Sequence, residues 1–476
     1  MDYEIVIGLE VHAELSTKSK IYCGCSTEFG GEPNTHCCPI CTGMPGVLPV
    51  LNRKVVEFAV KAGLAMNCTI SKFSKQDRKN YFYPDLPKAY QVSQFDLPLC
   101  LNGYVEIEVN GIQKKIGITR IHIEEDAAKL MHDEWETGTL VDYNRCGIPL
   151  IEIVSEPDMR SPEEARAFVE TIKAILEYLD VCDCKMQEGS LRADVNLSVR
   201  PAGSSAFGTR TETKNLNSFR SIQRAAESEA QRQIREIEDG GKIIQDTRHW
   251  DDAKGYSYAM RSKEEAHDYR YFPEPDLVPV VVDEKWLSSI RSSLPELPTA
   301  RRDRYIADYG LPEYDACLLT SSKRMADFFE EAVKDSSNAK AVSNWIMGDL
   351  MRILKEKELE VDAVPFPGNH LAKLVSLIDK GTISGTIARK VFEKMFESGK
   401  EPGLIVKEEG LEVVSDEKAL VSAIRKILDV NPQSVADFKG GKEKAFGFLV
   451  GQAMREMKGK ADPQTINRLL KEELGK

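Results

Sequence analysis

Apolar and polar residues alternate along several short segments within residues 1–293 of the chain. In residues 191–200 the odd positions are apolar, whereas the even positions are Arg, Asp, Asn, Ser and Arg. Residues 5–14 and 149–156 alternate in a similar way, and residues 210–215 set their charged side chains on one face. Successive side chains of a strand point to opposite faces, so each such strand has two different faces. Parallel sheets buried on both sides carry continuous apolar runs instead, so the pattern predicts an antiparallel sheet with one open, charged face.

Helix signals appear at two places in this half of the chain. Ser161, Pro162 and Glu164 have the spacing of a helix start, and apolar positions continue at helical spacing to Leu179. A second helix is predicted over residues 218–239, before two glycines that favour a helix end. Residues 294–298 read as a proline-containing linker, and the pattern beyond it is almost wholly helical. The fold class is therefore predicted as α+β, with an antiparallel-sheet domain (1–293), an all-helical domain (294–406) and a small helical tail (407–476).

The composition limits the classes of function. With 42% apolar and 29% charged residues among 476, the chain can bury real cores. Its net charge of −12 excludes a general positive field for nucleic acid, so any RNA binding must rest on a local patch. No apolar run approaches the roughly 18 residues of a membrane span, and no signal peptide begins the chain, so we expect no membrane association and a cytoplasmic location.

Four cysteines form a pattern typical of a structural zinc site. Cys23 and Cys25 are followed, after twelve residues, by Cys38 and Cys41. Two close pairs of thiolates can complete a tetrahedron around zinc. The other interpretation is a loop, residues 23–41, with small buried residues, and Cys37 adds a spare thiol. Eleven cysteines in all, an odd number, argue against a disulfide framework.

The polar strand faces carry carboxylates and an imidazole. Glu10, His12 and Glu14 share one face of the first strand, and further acids recur at strand positions that alternation directs to a common face: Glu124, Glu125, Glu152, Asp194 and Glu212. Concentrated negative charge repels itself unless a cation is bound, and oxygen ligands favour magnesium. The alternative is an ordinary solvated strand face. The sequence thus predicts two metal sites, one hard and catalytic, the other soft and structural.

Residues 79–91 combine two lysines, four aromatic residues and two prolines. Lysines contact phosphates and aromatic rings stack on bases, so this segment is a candidate for nucleotide or RNA contact. The alternative is an aromatic loop packed on the domain core. The chain has no P-loop, kinase signature or nucleophile elbow, so any ATP-dependent chemistry must rest on the charged sheet.

Together these motifs resemble the GatB/GatE family, the B subunits of aspartyl/glutamyl-tRNA amidotransferases. The resemblance rests on residues 7–15, the Cys-Pro-x-Cys element with its following Pro-Gly-x-Leu-Pro, and residues 79–91, 122–126, 192–196 and 211–217. The tail resembles the YqeY proteins, and the likeness covers essentially the whole chain. It implies a catalytic domain similar to glutamine synthetase and a tail that binds tRNA.

The resemblance also implies a reaction. ATP phosphorylates the side-chain carboxylate of Glu on tRNA(Gln) or of Asp on tRNA(Asn), and ammonia then displaces phosphate. The A subunits of such enzymes are glutaminases that release the ammonia from glutamine, and the small C subunits join A and B in a heterotrimer. Which misacylated tRNA is physiological stays open. The rival hypothesis is a zinc-stabilised protein for RNA binding or assembly, without chemistry of its own.

Site residues follow from the same resemblance. Magnesium is expected on His12, Glu125 and Glu152, with Glu10 as a further catalytic residue and Glu124 as the rival of Glu125. Structural zinc is expected on Cys23, Cys25, Cys38 and Cys41. Contacts to ATP or to the aminoacyl end are expected from Lys79, Tyr81, Lys88, Arg192, Asp194, Glu212 and Lys214.

Overall fold

The chain divides into two units, Met1–Pro298 and Thr299–Lys476. The strands lie in the first unit. The structure, a computed structural model, describes residues 2–132, 138–262, 266–412, 417–456 and 463–475. Residues 413–416, 457–462 and 476 of the predicted tail therefore lie outside the described residues. The further division of the second unit at residue 406 stays a prediction.

Sixteen strands occur in the described residues. They are β1 (Tyr3–Glu14), β2 (Thr69–Ile70), β3 (Phe73–Ser74), β4 (Asp77–Asn80), β5 (Tyr90–Ser93), β6 (Cys100–Val109), β7 (Ile112–Glu125), β8 (Lys129–His132), β9 (Thr139–Asp142), β10 (Pro149–Ser155), β11 (Leu191–Pro201), β12 (Thr211–Leu216), β13 (Asp246–Asp251), β14 (Tyr256–Ser262), β15 (Phe272–Pro273) and β16 (Val280–Val281).

Nine of these strands form one large sheet in the order β14-β13-β12-β11-β1-β10-β7-β6-β2. All neighbours pair antiparallel except β12 and β13, which are parallel. The predicted antiparallel sheet is confirmed. Three small sheets, β15-β4-β5, β16-β3 and β8-β9, complete the strands. Because β1 lies at the centre, its polar face has charged strands on both sides.

Helices cover the apolar face of the large sheet. The unit contains α1 (Arg53–Ala65), α2 (Pro162–Tyr178), α3 (Phe219–Glu238) and α4 (Glu284–Ser292), with a short 3₁₀ helix at Ala266–Tyr269. Ile7, Leu9 and Val11 of β1 are at most 1% exposed and share one core with the apolar faces of these helices. Burial of this face leaves the charged side chains on the opposite face of the sheet.

The helix ends follow the local sequence. Ser161 caps α2 by accepting a hydrogen bond from the Glu164 N–H, and Pro162 occupies the first position. Ser218 caps α3 in the same way through the Ser221 N–H. Both caps satisfy an N–H group that a helix start otherwise leaves without a partner.

The second unit is helical throughout its described residues. It consists of α5 (Pro298–Tyr309), α6 (Glu313–Thr320), α7 (Lys323–Lys334), α8 (Ala339–Trp345), α9 (Met351–Glu356), α10 (Gly368–Asp379), α11 (Gly385–Ser398), α12 (Pro402–Glu408), α13 (Glu417–Val430), α14 (Pro432–Lys439), α15 (Glu443–Glu456) and α16 (Pro463–Leu474), with a π-helical turn at Ile346–Leu350 and a 3₁₀ turn at Val361–Ala363. Helices α13 to α16 share an apolar core of their own. None of the helices in the described residues is long and apolar enough to cross a membrane.

Candidate functional site

Strand register brings the first group of charged side chains together. His12 on β1 is the Cα partner of Glu152 on β10, and Glu152 is in turn the partner of His122 on β7. Paired residues of neighbouring strands point to the same face, so these three side chains form a row. Glu124 lies two residues beyond His122 and therefore on the same face.

His12, Glu124 and Glu152 form a compact cluster, called here the histidine cluster. The His12 Nε2 atom lies 3.6 Å from Glu124 Oε1 and 3.6 Å from Glu152 Oε2. One ligand atom from each residue lies within 4.8 Å of the others. Glu124 is buried and the other two are half-buried. One imidazole nitrogen and two carboxylate oxygens, so close together, suit a divalent cation.

His122 lies next to this cluster on β7. It was not among the predicted site residues. Its Nε2 atom lies 3.2 Å from Glu152 Oε2 and 3.7 Å from Glu124 Oε2. Burial lowers the pKa of His122, but the two carboxylates outweigh it and raise the pKa to about 9. The pKa of His12 is also raised, because hydrogen bonding and charge from Glu152 overcome its burial. The neighbouring carboxylates thus favour the protonated form of both imidazoles.

The structure places Glu125 away from this cluster, unlike the predicted ligand set. Glu125 follows Glu124 directly, so its side chain points to the other side of β7. There it forms an ion pair with Lys88 and accepts a hydrogen bond of 2.9 Å from the Val92 N–H. Of the two neighbouring carboxylates, Glu124 is the one beside His12.

Lys88, which the resemblance assigns to ATP or the aminoacyl end, lies apart from the histidine cluster. Its ammonium is engaged with Glu125 on the wall of a pocket of about 160 Å³ that is separate from the histidine cluster. Lys20, Tyr22 and Cys41 line the same pocket. The pair is nearly closed to solvent, so it neutralises itself within the protein.

A second cluster, called here the carboxylate cluster, lies on the neighbouring strands of the same face. Ligand atoms of Glu10, Asp194 and Glu212 lie within 4.8 Å of one another. Lys214 pairs with Asp194, and its Nζ atom lies 3.1 Å from Glu212 Oε1. Burial, followed by the charge of Glu152, raises the pKa of Glu10. The structure therefore joins three residues that the sequence predicted for two separate roles.

Lys79 and Tyr81 lie near the histidine cluster. The Lys79 Nζ atom is 4.8 Å from the centre of the Tyr269 ring and 5.8 Å from that of Tyr81, a cation–π arrangement. Burial opposes the charge of Lys79, but Tyr271 and the nearby carboxylates hold its pKa above the usual value. The two tyrosines at 269 and 271 carried no signal in the sequence, because only the tertiary fold brings them to β4.

Arg192 lies beside the histidine cluster and faces acids at the end of β7. Its Nη2 atom is 3.2 Å from Asp126 Oδ2, and Arg145 approaches the same oxygen at 3.3 Å. Burial, followed by the charge of Asp126, raises the pKa of Glu14 to about 8. Burial also opposes the charge of Asp126, but Arg192 and Arg145 lower its pKa, so the two neighbouring carboxyl groups differ in pKa.

The four predicted cysteines converge in space. The Sγ atoms of Cys23, Cys25, Cys38 and Cys41 lie within 4.8 Å of one another. Cys37 turns away and donates a hydrogen bond to the Asn34 carbonyl at 3.2 Å. Hydrogen bonding from Cys23 is the largest influence on Cys41 and lowers its pKa to about 5. All eleven cysteines are free thiols, and the four that converge have the donor set of a tetrahedral zinc site.

Comparison with known proteins decides the family. The model described as the GatB/GatE catalytic domain matches residues 5–288, and a second, described as the GatB domain, matches residues 327–474. The chain belongs to the GatB/GatE family. This confirms the family that the sequence motifs indicated.

Relatives of this family match the chain over its full length. The aspartyl/glutamyl-tRNA(Asn/Gln) amidotransferase subunits B of Caldicellulosiruptor bescii and Thermoanaerobacter sp. are 66% and 63% identical, each over 100% of both chains. That of Carboxydothermus hydrogenoformans is 58% identical over 100% of this chain and 99% of its own. The prediction that the chain is an enzyme subunit of the amidotransferase class is confirmed.

Proposed function

We propose that this chain performs the ATP-dependent half of a tRNA-dependent transamidation. The substrate is Glu on tRNA(Gln), Asp on tRNA(Asn), or both. The side-chain carboxylate is first phosphorylated, because oxide is too poor a leaving group for direct attack. Ammonia then displaces phosphate and leaves Gln-tRNA(Gln) or Asn-tRNA(Asn). The observation that carries this proposal is the convergence of the histidine and carboxylate clusters on one face of the sheet.

The histidine cluster is the proposed magnesium site. His12, Glu124 and Glu152 would hold the ion, and Glu124 replaces Glu125 in the set expected from the sequence. Bound magnesium neutralises the charge that develops on phosphate oxygens during transfer. Imidazole is an unusual magnesium ligand, but the two carboxylates supply the oxygens that this ion prefers.

The remaining charged residues position and neutralise the substrates. Lys214, paired with the carboxylate cluster, and Lys79, beside the histidine cluster, offer ammonium groups to phosphate oxygens. Asp194 and Glu212, together with Glu10, form a second candidate cation site. Arg192 is the strand partner of His12 and pairs with Asp126, and its guanidinium is a further candidate contact for the substrate. Most of these side chains are half-buried, and a bound substrate that covers them would exclude the water that hydrolyses an acyl phosphate.

The cysteine cluster is the proposed structural zinc site. Cys23, Cys25, Cys38 and Cys41 supply four thiolates, which leaves no open position for a substrate. The loop is joined to the turn before β10 by a hydrogen bond of 3.0 Å from the Ile21 N–H to the Gly147 carbonyl. Zinc would therefore brace the strand that carries Glu152, without taking part in the chemistry.

We also propose the partners and the domain roles expected of the family. A glutaminase subunit supplies ammonia, and a small third subunit joins the two larger chains in a cytoplasmic heterotrimer. The sheet domain is proposed to share the glutamine synthetase fold. Helices α13 to α16, with their separate core, form the proposed YqeY-like tail and bind tRNA.

The decisive experiment is a transamidation assay of the chain assembled with the glutaminase and with the small third subunit. Both misacylated tRNAs are supplied with glutamine and ATP, and the amidated aminoacyl-tRNA is measured. Glu124→Gln removes one charge from the histidine cluster and should abolish amide formation while tRNA binding persists. Glu156→Gln is the matched control, because this carboxylate follows β10 and is exposed.

The rival function, RNA binding or assembly without catalysis, predicts another result. In that case Glu124→Gln and Glu156→Gln would both leave the rate of amide formation unchanged. A chain cut after Glu412 tests the tail separately. We expect it to retain α12, which packs in the helical domain through Ile405 and Val406, but to bind tRNA more weakly.

A further inference from the structure

Lys20 is a fully buried lysine next to the cysteine cluster. Its side chain is 0% exposed, and its Nζ atom lies 3.7 Å from Cys41 Sγ and 3.1 Å from the Tyr143 carbonyl oxygen. Across the part of the chain that the structure describes, no carboxylate lies within 4.0 Å of this ammonium. A buried ammonium needs an anionic partner, since burial of an isolated charge is strongly unfavourable. The thiolate of Cys41 is the anion within reach.

The contact of Lys20 with the Tyr143 carbonyl connects it to a turn next to the strands of the histidine cluster. Tyr143 begins a turn that ends at Ile148, immediately before β10. Within this turn the Gly147 N–H donates to the Asp126 carbonyl at 2.9 Å, and the Asp126 N–H donates to the Ile148 carbonyl at 2.8 Å. Asp126 follows the end of β7. The turn therefore ties together the ends of the two strands that carry Glu124 and Glu152.

We propose that Lys20 is a positioning residue of the cysteine site, where it is the counter-ion of the metal–thiolate centre and clamps that centre to the 143–148 turn. A zinc ion with four thiolates keeps a net negative charge, which a buried ammonium offsets. Hydrogen bonds to ligand atoms also stabilise a metal centre. The inference rests on the proposed zinc site and adds a residue outside the four cysteines.

The test compares metal release from three variants of the full chain. Lys20→Met removes the charge at similar length, Lys20→Arg restores a charge, and Lys18→Met changes an exposed lysine two residues away. Zinc loaded to equal content is released to the chelator 4-(2-pyridylazo)resorcinol. We expect release about 10–100-fold faster from Lys20→Met, the wild-type rate from Lys18→Met, and partial recovery in Lys20→Arg.

A spectroscopic measurement separates this role from simple packing. In the cobalt-substituted protein, the thiolate-to-metal charge-transfer band should move to longer wavelength in Lys20→Met, because loss of the ammonium raises the energy of the sulfur electrons. The band of Lys18→Met should not move. An unmoved band in Lys20→Met would contradict the proposed contact with the thiolate.

A measurement on the wild-type chain covers the case in which Lys20→Met does not fold. Chelation of the metal should increase hydrogen exchange at the amides of residues 143–148, and readdition of zinc should reverse it. Unchanged exchange would overturn the clamp. Absence of zinc from the purified wild-type chain would overturn the metal site itself, whereas zinc present with equal release from Lys20→Met and wild type would overturn the role of Lys20 only.

Discussion

Two regions of the sheet domain differ in how their buried charges are compensated. On the polar face of the sheet, the histidine and carboxylate clusters bring five carboxylates together with one paired lysine, and burial and the charge of Glu152 raise the pKa of Glu10. Beside the 160 Å³ pocket, in contrast, Lys88 and Glu125 form a buried pair that neutralises itself.

This difference assigns the polar face to ligand binding and the paired region to stability of the fold. Surplus negative charge is unfavourable in the folded chain unless a ligand compensates it, so its presence on the polar face indicates a cation-binding site. A self-neutralised buried pair needs no ligand and stabilises the fold only while both partners are present. Removal of a carboxylate should therefore impair activity in the first region and stability in the second.

The largest expected effect tests the polar face. Glu152→Gln keeps the size of the side chain but removes the charge that both His12 and His122 approach. We expect the rate of amide formation to fall about 10²–10³-fold, the scale observed when a charge-stabilising group is lost from an active site. Transamidation assays of the assembled enzyme measure this, and tRNA binding should be unaffected. A rate within about twofold of wild type would remove Glu152 from the proposed site.

The next effect tests the paired region. Glu125→Gln leaves the Lys88 ammonium buried without its carboxylate, and should lower the free energy of unfolding by about 3–5 kcal/mol. Lys88→Met combined with Glu125→Gln should recover much of this loss, because no uncompensated charge remains. Urea denaturation of the single and double variants measures the difference. Equal stability of Glu125→Gln and wild type would contradict the assignment of this pair to structure.

The third prediction concerns the pH dependence of metal binding on the polar face. His12 binds a cation only in its neutral form, and its pKa is raised in the folded chain. Magnesium affinity should therefore increase as the pH rises through the pKa of His12, by up to about tenfold per pH unit while one proton is displaced. Calorimetric titrations at several pH values measure it. In His12→Gln the slope should be smaller.

The fourth prediction concerns Glu14, the last residue of β1. The pKa of Glu14 is raised to about 8, so the folded chain holds a proton there that the unfolded chain releases near pH 4.5. Since the folded state binds more protons between these values, this group makes stability fall as the pH rises from about 4.5 to 8. Glu14→Gln should flatten the fall in the free energy of unfolding over that window. An identical pH profile in the variant would argue against the raised pKa of Glu14.

Much of the polar face was predictable from single strands. Alternation assigns His12 and Glu10 to the face opposite Leu9, and the structure places them there. The choice between Glu124 and Glu125 was harder, since it depends on how β7 pairs with β10. In the structure β7 and β10 pair without interruption from Glu125 to Arg120, which sets Glu152 opposite His122 and puts Glu124 on the same face as His122. The resemblance assigned the ligand to Glu125, whereas the structure places Glu124 beside His12 and pairs Glu125 with Lys88.

The sequence by itself determined the family, the antiparallel sheet with a charged face, and the convergence of four cysteines, because alternation and close spacing act over a few neighbouring residues. Tertiary structure alone decided that Glu124 joins His12, that Glu125 pairs with Lys88, and that Lys20 reaches Cys41. It also brought Tyr269 beside Lys79. Each of these contacts joins positions far apart in the chain or depends on the pairing of distant strands, and no local pattern encodes that pairing.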